Sequence, residues 1–201
     1  MANKIYVLRI ELKEINPVIW RRFIVPSDIT LDRLHDIIQI VMGFNDSHLH
    51  EFRIDGIKYT EEPEPEYMEE DDEIIEEGLF ALNKLLKLKD AAFEYLYDFG
   101  DYWSHTVILE RTNYKLKQYE PPVMCLSGKR ACPPDDVGGV GGYKNFCSIM
   151  ADKSHPEHKE YRTWFGSLYN PEFLDIGFIN SQLLRYMRWN RERLNPYEFT
   201  F

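Results

Sequence analysis

Residues 4–13 read KIYVLRIELK and residues 18–25 read VIWRRFIV, with Asn16-Pro17 between them. In the first stretch Tyr6, Leu8, Ile10 and Leu12 recur at every second position, the spacing that puts side chains on one face of a strand. The second is rich in β-branched and aromatic residues, and an Asn-Pro pair between two such runs is turn chemistry. Together they predict a β-hairpin, ended by Pro26, Ser27 and Asp28. From Thr30 the period changes. Leu31, Leu34, Ile38 and Val41 follow helical spacing, with Thr30 placed as N-cap and Gly43 just past the end. Residues 48–54 and 57–60 then read as short strands around Asp55-Gly56, a strong hairpin signal.

This order, strand-strand-helix-strand-strand, is that of a ubiquitin-like β-grasp unit, an analogy that carries no function with it. Further on, residues 79–88 have the spacing of a short helix, and 92–97 and 103–110 read as strands around Asp98-Phe99-Gly100-Asp101. The Pro- and Gly-rich stretch 121–142 predicts an irregular loop. Helical stretches follow at about 143–151, at 156–165 behind Pro156, and at 180–190, where Asn180 is placed to cap Leu183, Leu184 and Met187. The expectation is an α+β fold in one domain, 1–201. A β-grasp-like ββαββ order is continued by a further hairpin, and the helical part 143–201 packs on the sheet.

A hydrophobic fraction of 44% with 14% aromatics is that of a packed protein, not a disordered one. No apolar run approaches the roughly 20 residues that span a bilayer, and the N-terminus lacks the apolar block of a signal peptide. Three cysteines, an odd number, point to reduced thiols and a cytoplasmic setting. The net charge of −10 is local in origin: the segment 61–77 carries eleven acidic residues and no base. The 34 acids less these eleven leave 23 against 24 bases, so the remainder is near neutral. The acidic segment reads as a solvated, mobile loop. A near-neutral body is not a phosphate-binding surface, so specific nucleic-acid binding is not expected.

The polar residues that could carry chemistry fall into two groups. His48-Leu49-His50 opens a predicted strand, and residues two apart share a face, so both imidazoles would point the same way. The turn Asp98–Asp101 and His105 on the strand after it could supply partners for them. His48, His50, Asp98, Asp101 and His105 are therefore expected to gather in one polar pocket. Such nitrogen and oxygen donors would favour zinc, manganese or iron over calcium. The second group is the loop running through Asp135, Asp136, Gly138, Gly139, Gly141, Gly142 and Tyr143, whose glycines permit close backbone approach before a helix N-terminus. It lacks the Lys-Ser/Thr pair of a P-loop and follows no strand, so neither nucleotide fingerprint applies. Cys125, Cys132 and Cys147 lack the paired spacing of a zinc ribbon, and no triad or nucleophile-elbow signature is present.

Four blocks taken together, NPVIWRRFIVPSDITLDRLHDIIQIVMGF, HLHEF, YLYDFGDYWSHTVILE and GKRACPPDDVGGVGGY, resemble the family named after the third open reading frame of a plant-tumour Ri plasmid. The resemblance spans about residues 5–190 and implies no activity. Some members carry the label of a transposon resolvase. A serine resolvase needs a nucleophilic serine near its N-terminus among arginines and a C-terminal helix-turn-helix. Here the first strand has no serine, Ser27 sits in a turn, and no basic recognition helix is present. Three readings remain open: a binding or adaptor module for a protein or small-molecule partner, a metal-dependent hydrolase using the His/Asp cluster, and an accessory to DNA transposition or recombination.

Overall fold

The structure is a computed structural model and describes residues 4–61 and 74–189. It is an α+β protein, and the described residues form one eight-stranded sheet and five helices. The strands are β1 (Ile5–Leu12), β2 (Trp20–Pro26), β3 (His50–Ile54), β4 (Ile57–Thr60), β5 (Ile74–Glu76), β6 (Ala92–Tyr97), β7 (Trp103–Arg111) and β8 (Met124–Lys129). They lie side by side in the order β5-β4-β3-β6-β7-β1-β2-β8. Every recorded pair is antiparallel except β4 with β5 at one edge.

The three hairpins read from the sequence pair as expected: Leu8 opposite Phe23, Ile54 opposite Ile57, and Tyr97 opposite Trp103. The chain order ββαββ is also present. In space, however, β6 and β7 stand between the first hairpin and the β3–β4 hairpin. Alternation explains the two faces. Leu8, Ile10, Leu12, Tyr95, Val107 and Leu109 are all buried in the main core. The intervening residues form the outer face, where Ile5, Val7 and Ile24 make a small second apolar cluster, Lys13 Nζ meets Glu94 at 2.7 Å and Arg22 pairs with Glu110. Trp20 is half-buried there, with the Arg9 and Arg22 guanidiniums 4.3 and 5.4 Å from its ring.

Helix α1 (Leu31–Met42) lays Leu31, Leu34, Ile38 and Val41 into the core, all fully buried. Thr30 and Gly43 occupy its ends as read, and Gly43, at φ +105°, returns its N–H to Gln39 at 2.8 Å. Thr30 makes no side-chain cap bond; its hydroxyl turns to Asp32 instead. Arg21 closes the same end of α1 from below. Its buried guanidinium donates to the carbonyls of Val41 (2.8 Å), Trp20 (2.9 Å) and Lys129 (2.9 Å). The helix expected over residues 79–88 shrinks to the single turn α2 (Leu82–Leu85), preceded by a 3-10 turn, Glu77–Leu79.

The stretch 121–142 is not an irregular loop throughout. Residues 124–129 form edge strand β8, and α3 (Gly139–Ala151) begins four residues earlier than expected. Gly128 serves close packing rather than a turn, since a Cβ there would stand 2.7 Å from the carbonyl oxygen of Trp20. The outer edge of β8 is covered by α5 (Ile176–Trp189), which follows α4 (His158–Phe165). Asn180 of α5 accepts from Cys125 N at 2.8 Å and donates to Cys125 O at 3.1 Å, imitating a neighbouring strand. It therefore lies inside the helix and is not its N-cap. Of the acidic stretch 61–77, residues 62–73 lie outside the described residues. Its end is not a solvated loop: residues 74–76 form β5, and Glu77 is only 2% exposed. No helix among the described residues is long and apolar enough to cross a membrane.

Candidate functional site

The five residues expected in one pocket separate into four places. Strand β3 begins at His50, so His48 lies on the loop before it and the two imidazoles do not share a strand face. His48 stays near the surface, while His50 is buried beneath α1. His105, expected in the pocket, is a core residue with no exposure. Its Nδ1 lies 3.3 Å from the Tyr95 carbonyl, its Nε2 has no partner, and it meets the edge of Phe44.

Burial lowers the His105 pKa from 6.5 to about 4. The native protein therefore holds this imidazole neutral where the unfolded chain already takes up a proton. Stability should fall as pH drops through 6.5 toward 4, by about 3 kcal/mol over the whole interval. Denaturation midpoints of the wild type and His105→Leu across that range check this: the variant should lose most of the slope.

Asp98, Asp135 and Asp136 do meet, beside His48, where the 44–48 loop, the β6–β7 turn and the loop before α3 come together. Asp98 sits at φ +58°, and its Oδ1 accepts from Gly100 N (2.9 Å) and Asp101 N (3.2 Å). This turns Oδ2 toward His48 Nε2, 3.6 Å away. Asp136 Oδ1 stands 3.2 Å from the same nitrogen. Asp135 accepts from Asn45 N at 3.1 Å and so fixes the loop that carries His48; burial raises its pKa.

Asp101 belongs to α3 and not to the cluster. Its Oδ2 accepts from Gly138 N at 3.1 Å, so the helix N-terminus read as an anion site already has its own carboxylate. Gly139 and Gly142 are there for close approach: a Cβ would lie 2.6 Å from Asp101 O and 1.9 Å from Val137 O, respectively. Gly138 takes φ +91° at the helix start, and Gly141 has open space around it. Tyr143 is a buried anchor, bonded through its hydroxyl to Tyr169 at 3.0 Å. Of the expected binding loop, only Asp135 and Asp136 line a groove.

The family pattern of the plasmid pRiA4b ORF-3-like proteins matches residues 4–177. The chain belongs to that family. Within it, the chain is similar to the uncharacterized protein y4hQ of Sinorhizobium fredii (strain NBRC 101917 / NGR234), 38% identical over 167 residues, which are 83% of this chain and 84% of y4hQ. It is also similar to the crystal structure of the protein of unknown function MM3350 from Methanosarcina mazei Go1. That match has a TM-score of 0.76 and 35% identity, covering 88% of this chain and 98% of MM3350. His48, Asp98 and Asp136 come from three of the four sequence blocks that carry the likeness to the pRiA4b ORF-3-like family, and the fold brings those blocks to one place.

A second polar group was missed by sequence reasoning. His35 of α1 stacks on His50 with ring centroids 3.4 Å apart and 12° between planes. His50 Nε2 lies 2.9 Å from Glu77, and His35 Nε2 lies 2.7 Å from Asp46. The tautomer of His35 follows from the bonding. Asp46 N donates to Gln39 Oε1 (3.0 Å), so the Gln39 amide donates to the Tyr95 hydroxyl (2.8 Å). Tyr95 then gives its proton to His35 Nδ1 at 2.9 Å, and His35 Nε2–H donates to Asp46. That bond holds the Asp46 carboxyl below its ordinary value. The available signal was a histidine and a glutamine, His35 and Gln39, one turn apart on the buried stripe of α1.

Beside the first cluster runs an open groove of about 900 Å³, walled by the Pro133–Asp136 loop, the end of α4 and the start of α5. Trp164, Leu168, Phe173 and Phe178 line it and are 49%, 66%, 61% and 60% exposed. Asp135, Asp136 and Asp175 are its acids. Its one cation among the described lining residues, Arg21, has its donors committed to backbone carbonyls.

Proposed function

We propose that this chain is a binding module, one domain over 1–201, whose groove takes a protein segment presenting bulky apolar side chains next to a lysine or arginine. The observation that carries this is the row of four large apolar side chains, each about half or more exposed, lining one groove. Scattered exposed apolar residues need no explanation, but a contiguous set is a feature of interaction surfaces. An enclosed small-molecule site buries most of its ligand among covered side chains. This groove is open, which suits a macromolecular segment laid along it. The charge of the preferred partner follows from the lining: three carboxylates and no uncommitted cation among the described residues. The three thiols are unpaired, which supports a cytoplasmic setting.

Selection of random displayed peptides on the purified protein tests this reading. Bulky apolar residues adjoining a basic residue should be enriched, and Leu168→Asp with Phe178→Asp should weaken the selected peptides by at least about tenfold, a loss of roughly 1.4 kcal/mol. Peptides without that pattern, or peptides that bind the double variant equally well, would contradict it.

A further inference from the structure

We infer that His48, Asp98 and Asp136 hold a divalent transition-metal ion at the acidic end of the groove. Its geometry stands apart from the groove, while its use toward a partner rests on the binding reading above. One donor atom from each of His48, Asp98 and Asp136 lies within 4.8 Å of the other two. His48 Nε2 is 3.6 Å from Asp98 Oδ2 and 3.2 Å from Asp136 Oδ1. Donors each about 2.0–2.2 Å from a shared ion, tetrahedrally disposed, stand roughly 3.4 Å apart. Hydrogen-bonded N–H and carboxylate groups stand closer, at about 2.7–2.9 Å. Here His48 Nε2 is shielded from solvent and makes no hydrogen bond, despite two carboxylate oxygens near it. An imidazole nitrogen with carboxylates around it but none in line is placed as a ligand, not as a donor.

The support around these atoms is that of a held site. The Asp98 side chain is 9% exposed, and two backbone N–H groups hold its other oxygen, leaving Oδ2 with a fixed direction. Asp135 is a positioning residue: through Asn45 N and the Ser47 hydroxyl it holds the loop that presents His48. One neutral imidazole and two carboxylates carry two negative charges, which a divalent ion cancels. Asp135 and Asp175 then remain as the groove's acids. One nitrogen and two oxygen donors suit zinc, manganese or iron(II). Three protein ligands leave coordination positions for water or for a donor atom of the bound segment.

Protein purified without a histidine tag, stripped with a chelator and titrated with zinc and with manganese, provides the test. One ion per chain is expected by calorimetry, with manganese binding also visible in the electron paramagnetic resonance signal. His48→Ala and Asp136→Asn should each weaken binding at least about tenfold. His155→Ala, outside the cluster, should leave it unchanged. Asp136 has a largely exposed side chain (73%), so its variant should keep the fold and remain informative if His48→Ala does not. Absence of saturable binding in the wild type, or wild-type affinity in both ligand variants, overturns the inference. The metal-free protein is titrated in parallel with a selected apolar peptide. Peptide binding without metal binding removes the ion alone, and metal binding without peptide binding removes the groove reading alone.

Discussion

Trp103→Ala is expected to destabilise the protein by about 3–5 kcal/mol. Trp103 opens β7 directly opposite Tyr97 and is 1% exposed, so its indole fills space that alanine leaves empty. One feature moderates the loss. The indole Nε1 is buried without a hydrogen-bond partner, so the wild type already bears the cost of an unsatisfied donor, about 1–3 kcal/mol. Trp103→Phe keeps most of the ring and removes that donor. It should therefore cost far less than alanine, on the order of 1 kcal/mol. Chemical denaturation of the three proteins checks the order. Equal losses for Phe and Ala would mean that the indole nitrogen matters more than the packing.

The second large effect is expected at His50 and Glu77. Their side chains are 5% and 3% exposed and meet at 2.9 Å. Removing one partner of such a pair leaves the other buried and unpaired, which typically costs about 3–5 kcal/mol. His50→Ala also removes the face on which His35 stacks. Glu77→Ala further loosens the attachment of β5 to the sheet edge. The double variant His50→Leu, Glu77→Met should cost clearly less than the two single losses combined, because neither group is then left alone. Additive losses would show that the two side chains act separately. A negligible loss for Glu77→Ala would show that this end of the acidic segment is as dispensable as its charge suggests.

These two sites show where the sequence could be read and where it could not. Strand pairing was legible because each hairpin is local: alternation fixes the face, and Asp55-Gly56 or Asp98–Asp101 marks the reversal. Helix α1 was legible because Leu31, Leu34, Ile38 and Val41 keep one period. The position of β6 and β7 between the two hairpins depends on contacts between distant parts of the chain, which periodicity does not encode. Edge strand β8 escaped for a different reason. Its sequence MCLSGK lacks alternation, and a glycine that reads as a breaker is required by contact with Trp20.

The candidate site divides in the same way. Asp98 and the His48-x-His50 pair drew attention by residue type, but the point at which the strand begins, two residues later than expected, decided the outcome. With β3 starting at His50, His48 is left on the loop and turns to Asp98 and Asp136, while His50 goes beneath α1. Asp136 was picked out with its loop and not as a ligand, because 38 residues separate it from Asp98 along the chain. Glu77 was read as part of a charge run. Nothing local distinguishes the one acid that a buried histidine needs.

The most direct measurement of the central claim, that the groove is a binding surface, is a chemical-shift map. The labelled protein is titrated with a selected peptide, and the Trp164 indole N–H, the Leu168 methyls, the amides of Asp135 and Asp136 and those of the non-proline residues from 164 to 179 are followed. The largest shifts should cluster on those groups, while the outer sheet face around Arg9, Trp20 and Arg22 stays unchanged. Shifts centred on that outer face, with Trp164 and Leu168 unmoved, would contradict it.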